Sequence, residues 1–220
     1  MDVMVVYAFL RKNFLTTYFF RIVIIIITQR FAVMKDKSSY VFLVRHGEAI
    51  ASWGQDPDPS LSRKGIEQSE AVSSILSKRF QAPLRIISSP LLRAMQTAAP
   101  LANYFDTTIE IDPAYQEIIS PHGLAKRQAW LKRFMEETWE FQPKELIDWR
   151  MMSLASLKNI QTCTIIYTHF MVINTIVGWL VGSEATVSFR PANCSVTELK
   201  FEQDKFTLLK LGRELPSVVN

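Results

Sequence analysis

Continuous apolar runs and amphipathic stretches alternate along most of this chain, from about residue 40 onward. A continuous apolar run predicts a strand that is buried on both faces, whereas apolar residues at helical spacing predict a helix that covers such a strand. Strands are expected at residues 40–44, 84–87, 109–111, 162–168, 195–201 and 206–211, the last two as a hairpin. Helices are expected at residues 63–80, from residue 90 onward, and at residues 125–139, 144–159 and 171–181.

Several helix ends are marked by residues with a known preference for such positions. Ser62 can cap the helix at residues 63–80, and Gly182 can end the helix at residues 171–181. Ser89 and Pro90 predict an N-cap followed by proline at the first helical position. Pro100 should kink or shorten that helix, because proline lacks a backbone N–H.

This order of elements predicts an α/β fold. We expect a three-layer α/β/α sandwich with a mostly parallel central sheet and helices on both of its faces. In sheets of this kind, ligands bind beyond the carboxyl ends of the strands. A length of 220 residues suits a single domain that carries an extra segment.

The extra segment is predicted to be residues 1–33, which are rich in Val, Ile, Phe and Tyr. Arg21 interrupts the best apolar window, so a clean membrane-spanning helix is not expected. No small-residue cleavage site follows to indicate a signal peptide. Met34 opens a normal polar lead-in to the first strand, which favours a start-site artefact upstream of it; a membrane anchor is the alternative. The folded domain is then residues 34–220.

Charge and cysteine content narrow the classes of partner. Residues 1–33 hold four basic side chains against one acidic one, so only +1 of the net charge of +4 belongs to residues 34–220. Nucleic-acid binding therefore has no support from charge. Cys163 and Cys194 have no histidine at metal-ligand spacing, so they are interpreted as core thiols of a reducing compartment, and no metal site is expected. The predicted location is the cytoplasm, with membrane association through residues 1–33 as the alternative.

Polar and charged residues follow three of the predicted strands where each strand ends. Arg45 and His46 end the first strand, Ser89 follows the second, and His169 follows a later one. Arg93 lies one turn into the helix after Ser89. Because the carboxyl ends of parallel strands share one edge of a sheet, these side chains should lie together.

The chemistry of these residues suits a phosphate. Each guanidinium fork can bond two oxygens and stays charged at any working pH. Gly47 allows close approach of the backbone, and the amides that follow it can point at phosphate oxygens. A histidine beside a bound phosphate can act as its nucleophile.

Five segments stand in a fixed order along the chain: LVRHGE at residues 43–48, LSRKGIEQ at 61–68, SSPLLRAMQTA at 88–98, YQEI at 115–118 and THF at 168–170. Over roughly residues 40–180, they resemble the histidine phosphatase superfamily, also called the phosphoglycerate mutase-like superfamily. The resemblance implies a phosphoglycerate mutase-like fold with residues 34–220 as the catalytic domain. It also implies a phosphomonoesterase that acts on a small phosphorylated substrate and uses no cofactor.

The resemblance further implies a role for each matching residue. His46 would attack phosphorus and form a phosphohistidine intermediate. Arg45, Arg93 and His169 would hold the phosphate oxygens, and Glu117 would act as the general acid and base. Such a role needs a carboxyl group with a raised pKa, which the apolar neighbours of Glu117 favour.

Two departures from the family pattern favour a phosphatase over a mutase. Mutases carry Glu-Arg-His-Tyr-Gly around the proton donor, whereas residues 116–120 read QEIIS. Ser52 stands where an asparagine is common, six residues after the catalytic histidine. Its shorter side chain is expected to be a weaker phosphate ligand. A branch that acts on phosphohistidine in proteins lacks the acid, and the presence of Glu117 argues against it. A mutase-type phosphotransferase and a non-catalytic phospho-ligand binding protein on the same fold remain as alternatives.

Simpler structural roles are expected for other polar and aromatic residues. Glu48 or Glu110 could replace Glu117 as the acid if the loop folds differently, and His122 is expected in a surface turn. The expected roles are a solvated helix face for four basic residues and core packing for three tryptophans. These are Lys126, Arg127, Lys132 and Arg133, and Trp130, Trp139 and Trp149.

Overall fold

A computed structural model of the protein describes residues 39–51, 56–80 and 84–215. The prediction of an extension or anchor at residues 1–33 and the proposed phosphate ligand Ser52 lie outside the described residues. Within the described ranges, no helix is long and apolar enough to cross a membrane.

Among the described residues, six strands form one central sheet in the order β3, β2, β4, β1, β5, β6. The first four are mutually parallel, and β5 runs antiparallel to β1. The turn between β5 and β6 places Gln203 and Asp204 at positive φ, as expected for a tight hairpin. The strands are β1 at Ser39–Arg45, β2 at Arg85–Ser88, β3 at Ile109–Ile111, β4 at Thr164–Thr168, β5 at Val196–Glu202 and β6 at Lys205–Lys210.

In the part of the chain that the structure describes, five α-helices cover the sheet: α1 at Arg63–Arg79, α2 at Leu92–Tyr104, α3 at Leu124–Phe134, α4 at Lys144–Lys158 and α5 at Phe170–Val181. Side chains of β1 alternate between two cores. Val41 and Leu43 join the core that includes α3, α4 and α5, whereas Phe42 and Val44 join the core that includes α1 and α2. This arrangement confirms the predicted three-layer α/β/α sandwich.

The second helix begins later than predicted. It begins at Leu92 with Leu91 as its N-cap, so Ser89 does not cap it and Pro90 is not its first residue. The hydroxyl of Ser89 accepts from the backbone N–H of Leu91 at 3.2 Å, just before the helix, and it also lies 2.7 Å from Nε2 of His169. The helix continues past Pro100 to Tyr104, so the proline does not shorten it, and buried side chains lie on both sides of the proline.

The segment after β3 is less helical than predicted. Instead of one helix at residues 125–139, α3 ends at Phe134, and a separate 3₁₀ turn follows at Trp139–Phe141. Trp130, Trp139 and Trp149 are all buried in one core, which confirms the packing role expected for them. The rings of Trp139 and Trp149 stack with centroids 6.3 Å apart. His122 lies exposed before α3, as expected for a surface turn.

Candidate active site

Three adjacent strands bring the predicted site residues together. β4 lies between β2 and β1, so the residues that follow these strands become neighbours. The backbone of His46 donates to the carbonyl of Thr168, and the backbone of Ser89 donates to the carbonyl of Tyr167. The rings of His46 and His169 consequently lie with their centroids 5.1 Å apart.

The backbone after His46 is pressed against the start of α1. A Cβ atom on Gly47 would lie 2.6 Å from the carbonyl oxygen of Gly65, and one on Gly65 would lie 2.0 Å from the carbonyl oxygen of Glu48. Only glycine fits at either position without a shift of the backbone. The close approach that the sequence predicted at Gly47 therefore exists, and its partner is Gly65.

The amides that follow His46 do not serve as predicted. The N–H of Gly47 donates to the hydroxyl of Thr97 at 3.0 Å, and the N–H of Glu48 donates to the side-chain amide oxygen of Gln68 at 2.8 Å. Both donors are thus occupied by side chains of α1 and α2 instead of pointing at a phosphate. Their role is to fix the loop that carries the nucleophile to the two helices beside it.

Gly65→Ala is expected to test this close contact. The added methyl meets a backbone carbonyl that cannot move aside, so the free energy of unfolding should fall by about 1–3 kcal/mol, as for overpacked sites. Gly123→Ala is the matched control, because a Cβ at Gly123 meets nothing within 4 Å. Denaturant unfolding of both variants measures the difference; equal stabilities would contradict the packing role of Gly65.

Hydrogen bonds fix the tautomer of His46. Its Nδ1 lies 2.7 Å from the carbonyl oxygen of Gly47, which can only accept, so Nδ1 carries the proton. Its Nε2 lies 3.3 Å from Nε of Arg93, which can only donate, so Nε2 presents a lone pair. Burial lowers the pKa of His46 well below its ordinary value, and the charges of Arg45 and Arg93 lower it further. The ring is therefore neutral, with Nε2 available for nucleophilic attack.

Two buried arginines flank this ring. Arg45 donates from one terminal nitrogen to the carbonyl of Pro191 and stacks on the ring of Phe170. Burial lowers the pKa of Arg45 to about 10, which still leaves it charged at neutral pH. Arg93 is 3% exposed, and the carboxylate of Asp58 lies 3.6 Å from one of its terminal nitrogens. Asp58 also accepts from the backbone N–H of Leu92 and so anchors the first residue of α2.

His169 completes the cluster on the β4 side. Its Nε2 lies 2.7 Å from the hydroxyl of Ser89, and the ring is fully buried. Burial and the neighbouring positive groups lower its pKa well below the ordinary value. Within the described part of the chain, Nδ1 of His169, Nε of Arg45 and one terminal nitrogen of Arg93 are buried without a hydrogen-bond partner. Such atoms suit an anion that binds between them.

Glu117 is a buried carboxyl group at the edge of this cluster. It is 2% exposed and accepts from the backbone N–H of Ile118 at 3.0 Å and of Met171 in the first turn of α5. Burial raises its pKa, and the N–H of Ile118 and the charge of Arg93 offset part of that rise. The segment is held from behind, since Trp149 donates to the carbonyl of Gln116.

The two other carboxylates considered for this role have different partners. Glu48 accepts from the hydroxyl of Ser62, which caps α1, and from the ammonium of Lys64. Glu110 lies on β3 in an exposed two-pronged ion pair with Arg85. Both interactions lower the pKa of these carboxyl groups, the opposite of what a general acid needs.

Sequence reasoning missed the acidic residues beside Arg93 and one basic residue of the pocket, Arg127. Arg127 on α3 was expected on a solvated helix face with its basic neighbours, and Lys126, Lys132 and Arg133 do lie there. Arg127 instead is half-buried and lines the same pocket as His46 and Arg93. It donates to the carbonyl of Ile118, next to Glu117. The signal was weak, because helical spacing alone does not tell which basic side chain turns inward.

Comparisons with known proteins agree with this geometry. The model of the histidine phosphatase superfamily (branch 1) matches residues 41–214. An uncharacterised protein of Mycobacterium tuberculosis is 38% identical over 81 residues, which cover 35% of this chain and 39% of that protein.

Solved structures of similar fold include two phosphatases and a mutase. A phosphoserine phosphatase from Entamoeba histolytica, in complex with 3-phosphoglyceric acid, is 23% identical with a TM-score of 0.64 over 80% of this chain and 97% of its own. A mycobacterial glucosyl-3-phosphoglycerate phosphatase is 21% identical with a TM-score of 0.64, over 80% of this chain and all of its own. A phosphoglycerate mutase from Bacillus anthracis is 17% identical with a TM-score of 0.61, over 80% of this chain and 94% of its own. At these identities the likeness is one of fold.

Proposed function

Because the chain belongs to the histidine phosphatase superfamily, branch 1, we propose that it is a phosphomonoesterase that works through a phosphohistidine at His46. The observation that carries the proposal is the state of the His46 ring. A neutral imidazole with its proton fixed on Nδ1 offers Nε2 as a nucleophile, and it does so beside two buried guanidinium groups. The proposed substrate is a small phosphorylated molecule.

The first half of the reaction transfers the phosphoryl group to the enzyme. Nε2 of His46 attacks phosphorus while the bond between phosphorus and the leaving oxygen breaks. Glu117 gives its proton to that oxygen, which departs as an alcohol, and becomes a carboxylate. Arg45, Arg93 and His169 bind the phosphoryl oxygens and offset their charge, which is most of what this chemistry requires of a protein.

The second half returns the enzyme to its starting state. The carboxylate of Glu117 takes a proton from a water molecule, whose oxygen attacks phosphorus. The bond between Nε2 and phosphorus breaks, inorganic phosphate leaves, and His46 is again a neutral ring. Splitting one hydrolysis into two displacements lowers the barrier of each.

The test is hydrolysis of an aryl phosphate by the full chain, with rapid acid-free quenching to trap phosphate on the protein. We expect release of inorganic phosphate and a label that is stable in base and lost in acid, as a phosphohistidine is. Transfer to an added alcohol in preference to water would instead favour a mutase-type phosphotransferase. Folded protein that binds phosphate but shows neither turnover nor label would overturn the proposal in favour of a phospho-ligand binding protein.

Location in the cytoplasm is part of the same proposal. Cys163 and Cys194 are both free thiols, which suits a reducing compartment. Recovery of the full-length protein in washed membranes rather than in the soluble fraction would favour the alternative of an anchor at residues 1–33.

A further inference from the structure

A second concave region lies outside the active site, between α1 and the hairpin of β5 and β6. This α1–β5 groove encloses about 670 Å³, a volume in the range of small-molecule binding sites. Its walls are one face of α1, the segment where β5 begins and the segment where β6 ends. Its described lining residues include Val72, Ile75, Arg79, Val196, Lys210 and Arg213.

Apolar side chains form much of the lining of the groove. On α1, Val72 and Leu76 are buried, and Ile75 is 65% exposed. Their spacing places them on one face of the helix. Val196 and Leu211 line the groove from the side of the hairpin. The apolar body of a ligand would cover this surface and remove it from water.

The charged residues that line the groove are mostly basic. Arg79 and Glu198 bind each other through two hydrogen bonds of 2.7 Å, so their charges balance. Lys210 and Arg213 add two positive charges, and Lys210 interacts with Glu198 only at longer range. Among the described residues, neither Lys210 nor Arg213 has a carboxylate oxygen within 4 Å. The groove therefore suits a ligand that has an anionic group beside its apolar body.

Acidic residues near the groove do not fill the role of this anionic group. Glu70 lies on the opposite face of α1 from Val72, according to the helical spacing. Three others have partners outside the groove: Glu48 pairs with Lys64, Glu67 pairs with Arg63, and Glu214 accepts from the backbone N–H of Arg190.

The wall of the groove before β5 holds the backbone of the nucleophile. The side-chain amide of Asn193 donates to the carbonyl of His46 at 2.9 Å. The backbone N–H of Cys194 donates to the carbonyl of Arg45, and the backbone N–H of Arg45 donates to the carbonyl of Ser195. Asn193, Cys194 and Ser195 all line the groove.

The opposite wall holds the same loop from the side of α1. Gln68 lines the groove and accepts from the backbone N–H of Glu48 at 2.8 Å. Both walls are thus hydrogen-bonded to the backbone of residues 45–48. A ligand that contacts both walls would restrain the loop that carries His46.

We propose that the α1–β5 groove binds a small carboxylic acid with an apolar body, and that this ligand is an effector of the active site. The apolar body covers the side chains of α1, and the carboxylate lies at the basic rim near Lys210 and Arg213. By restraining residues 45–48, the ligand strengthens the binding of phosphate beside His46, because a loop that is ordered beforehand costs less to order on binding. The proposal goes beyond the proposed function, since it concerns a second site.

The first experiment titrates the full chain with octanoate and with octanamide. Inorganic phosphate is present at about ten times its dissociation constant, so that the catalytic site is occupied. Amide chemical shifts of the isotope-labelled protein locate the site, and we expect shifts at Val196, Leu211 and Gly212. Octanoate should bind more tightly than octanamide. Lys210→Gln and Arg213→Gln should each weaken octanoate by about two- to fivefold, the range for an exposed ion pair, and leave octanamide unchanged.

Lys205→Gln is the matched control for charge, because Lys205 is exposed at the other end of β6 and does not line the groove. It should leave both affinities unchanged. Ala71→Trp should obstruct the groove and weaken both ligands, whereas Ser74→Trp, at an exposed position of α1 outside the lining, should not. Absence of binding, equal binding of the two ligands, or shifts confined to the surroundings of His46 would each overturn the proposal.

The second experiment measures the coupling between the two sites. Calorimetric titration of phosphate into the full chain should show about fivefold tighter binding with saturating octanoate than without it, the low end of typical allosteric coupling. The difference should persist in Ser74→Trp and disappear in Ala71→Trp. An unchanged or weaker phosphate affinity would overturn the effector role. Because neither experiment involves turnover, failure of the proposed catalytic function would leave both results intact.

Discussion

His46→Ala is expected to lower kcat for a phosphomonoester by about four to six orders of magnitude, the range found when a catalytic nucleophile is removed. The reason is that Nε2 of His46 carries a lone pair held in place by Gly47 on one side of the ring and by Arg93 on the other. The acid-labile label on the protein should vanish together with turnover. Single-turnover assays with radiolabelled substrate measure both quantities in one sample.

His169→Ala is the matched variant for this prediction. It also removes an imidazole from the cluster, and the two rings lie 5.1 Å apart. Because His169 is expected to hold oxygens and not to bond with phosphorus, its loss should slow labelling without abolishing it. A label that persists in His46→Ala and disappears in His169→Ala would show that His169, and not His46, is the nucleophile.

Glu117→Gln is expected to have an effect that depends on the leaving group. With an alkyl phosphate, whose alkoxide leaves poorly without a proton, kcat/KM should fall by about 10²- to 10⁴-fold. With a dinitrophenyl phosphate, formation of the phosphoenzyme should be almost unaffected, because that leaving group needs no proton. Its breakdown should still be slow, since Glu117 also activates water, so the phosphoenzyme should accumulate.

Glu110→Gln is the control for that experiment, because Glu110 is an exposed carboxylate paired with Arg85 on β3. It should show the same kinetics as the wild type with both leaving groups. A large loss in Glu110→Gln, or a loss in Glu117→Gln that is equal for alkyl and dinitrophenyl phosphates, would contradict the role of Glu117 as the acid.

The pH dependence of kcat/KM should also report on the protonation of Glu117. The active form needs a neutral His46 and a protonated Glu117. Burial lowers the pKa of His46 below 6.5, so the acidic limb of kcat/KM should lie below that pH. Burial raises the pKa of Glu117 above 4.5, so activity should decline as pH rises through that raised value. We therefore expect a profile with an acidic limb set by His46 and an alkaline limb set by Glu117, and the alkaline limb should disappear in Glu117→Gln.

Ionisation of Glu117 should lower the stability of the wild type as well as its activity. A carboxyl group with a raised pKa in the folded protein contributes stability when it is protonated, at low pH, and this contribution is lost as pH rises through the folded pKa. Glutamine keeps a similar shape without this loss. Glu117→Gln should therefore become more stable relative to the wild type as pH increases, which denaturant unfolding at several pH values can measure.

Features set by position along the chain were predictable from the sequence. Apolar runs located the strands, and the residues just past those runs, such as His46 and His169, do meet at one edge of the sheet. This works because parallel strands share the direction of their carboxyl ends, whichever order the sheet adopts. The need for glycine at position 47 was equally predictable, since a close contact between backbone segments leaves no room for a side chain.

Features set by contacts between distant segments were not predictable. Whether Arg127 faces water or the pocket depends on how α3 is rotated against the sheet, and Lys126 beside it faces the other way. The hydroxyl of Ser89 bonds to the backbone N–H of Leu91 and also to the ring of His169, and the second partner depends on where β4 lies in the sheet. The backbone N–H groups of residues 47 and 48 donate to Thr97 and Gln68 respectively, so neither N–H is available to a phosphate.

The order of strands in the sheet has a consequence for synthesis of the protein. The strand that carries His46 pairs with β4 on one side and with β5 on the other, and both are made long after it. Until β4 has left the ribosome, this apolar strand has no neighbour at either edge, a state that favours aggregation. A nascent chain stalled before residue 164 therefore cannot assemble the site. A substrate cannot stabilise such a truncated chain, which should depend on a chaperone to stay soluble.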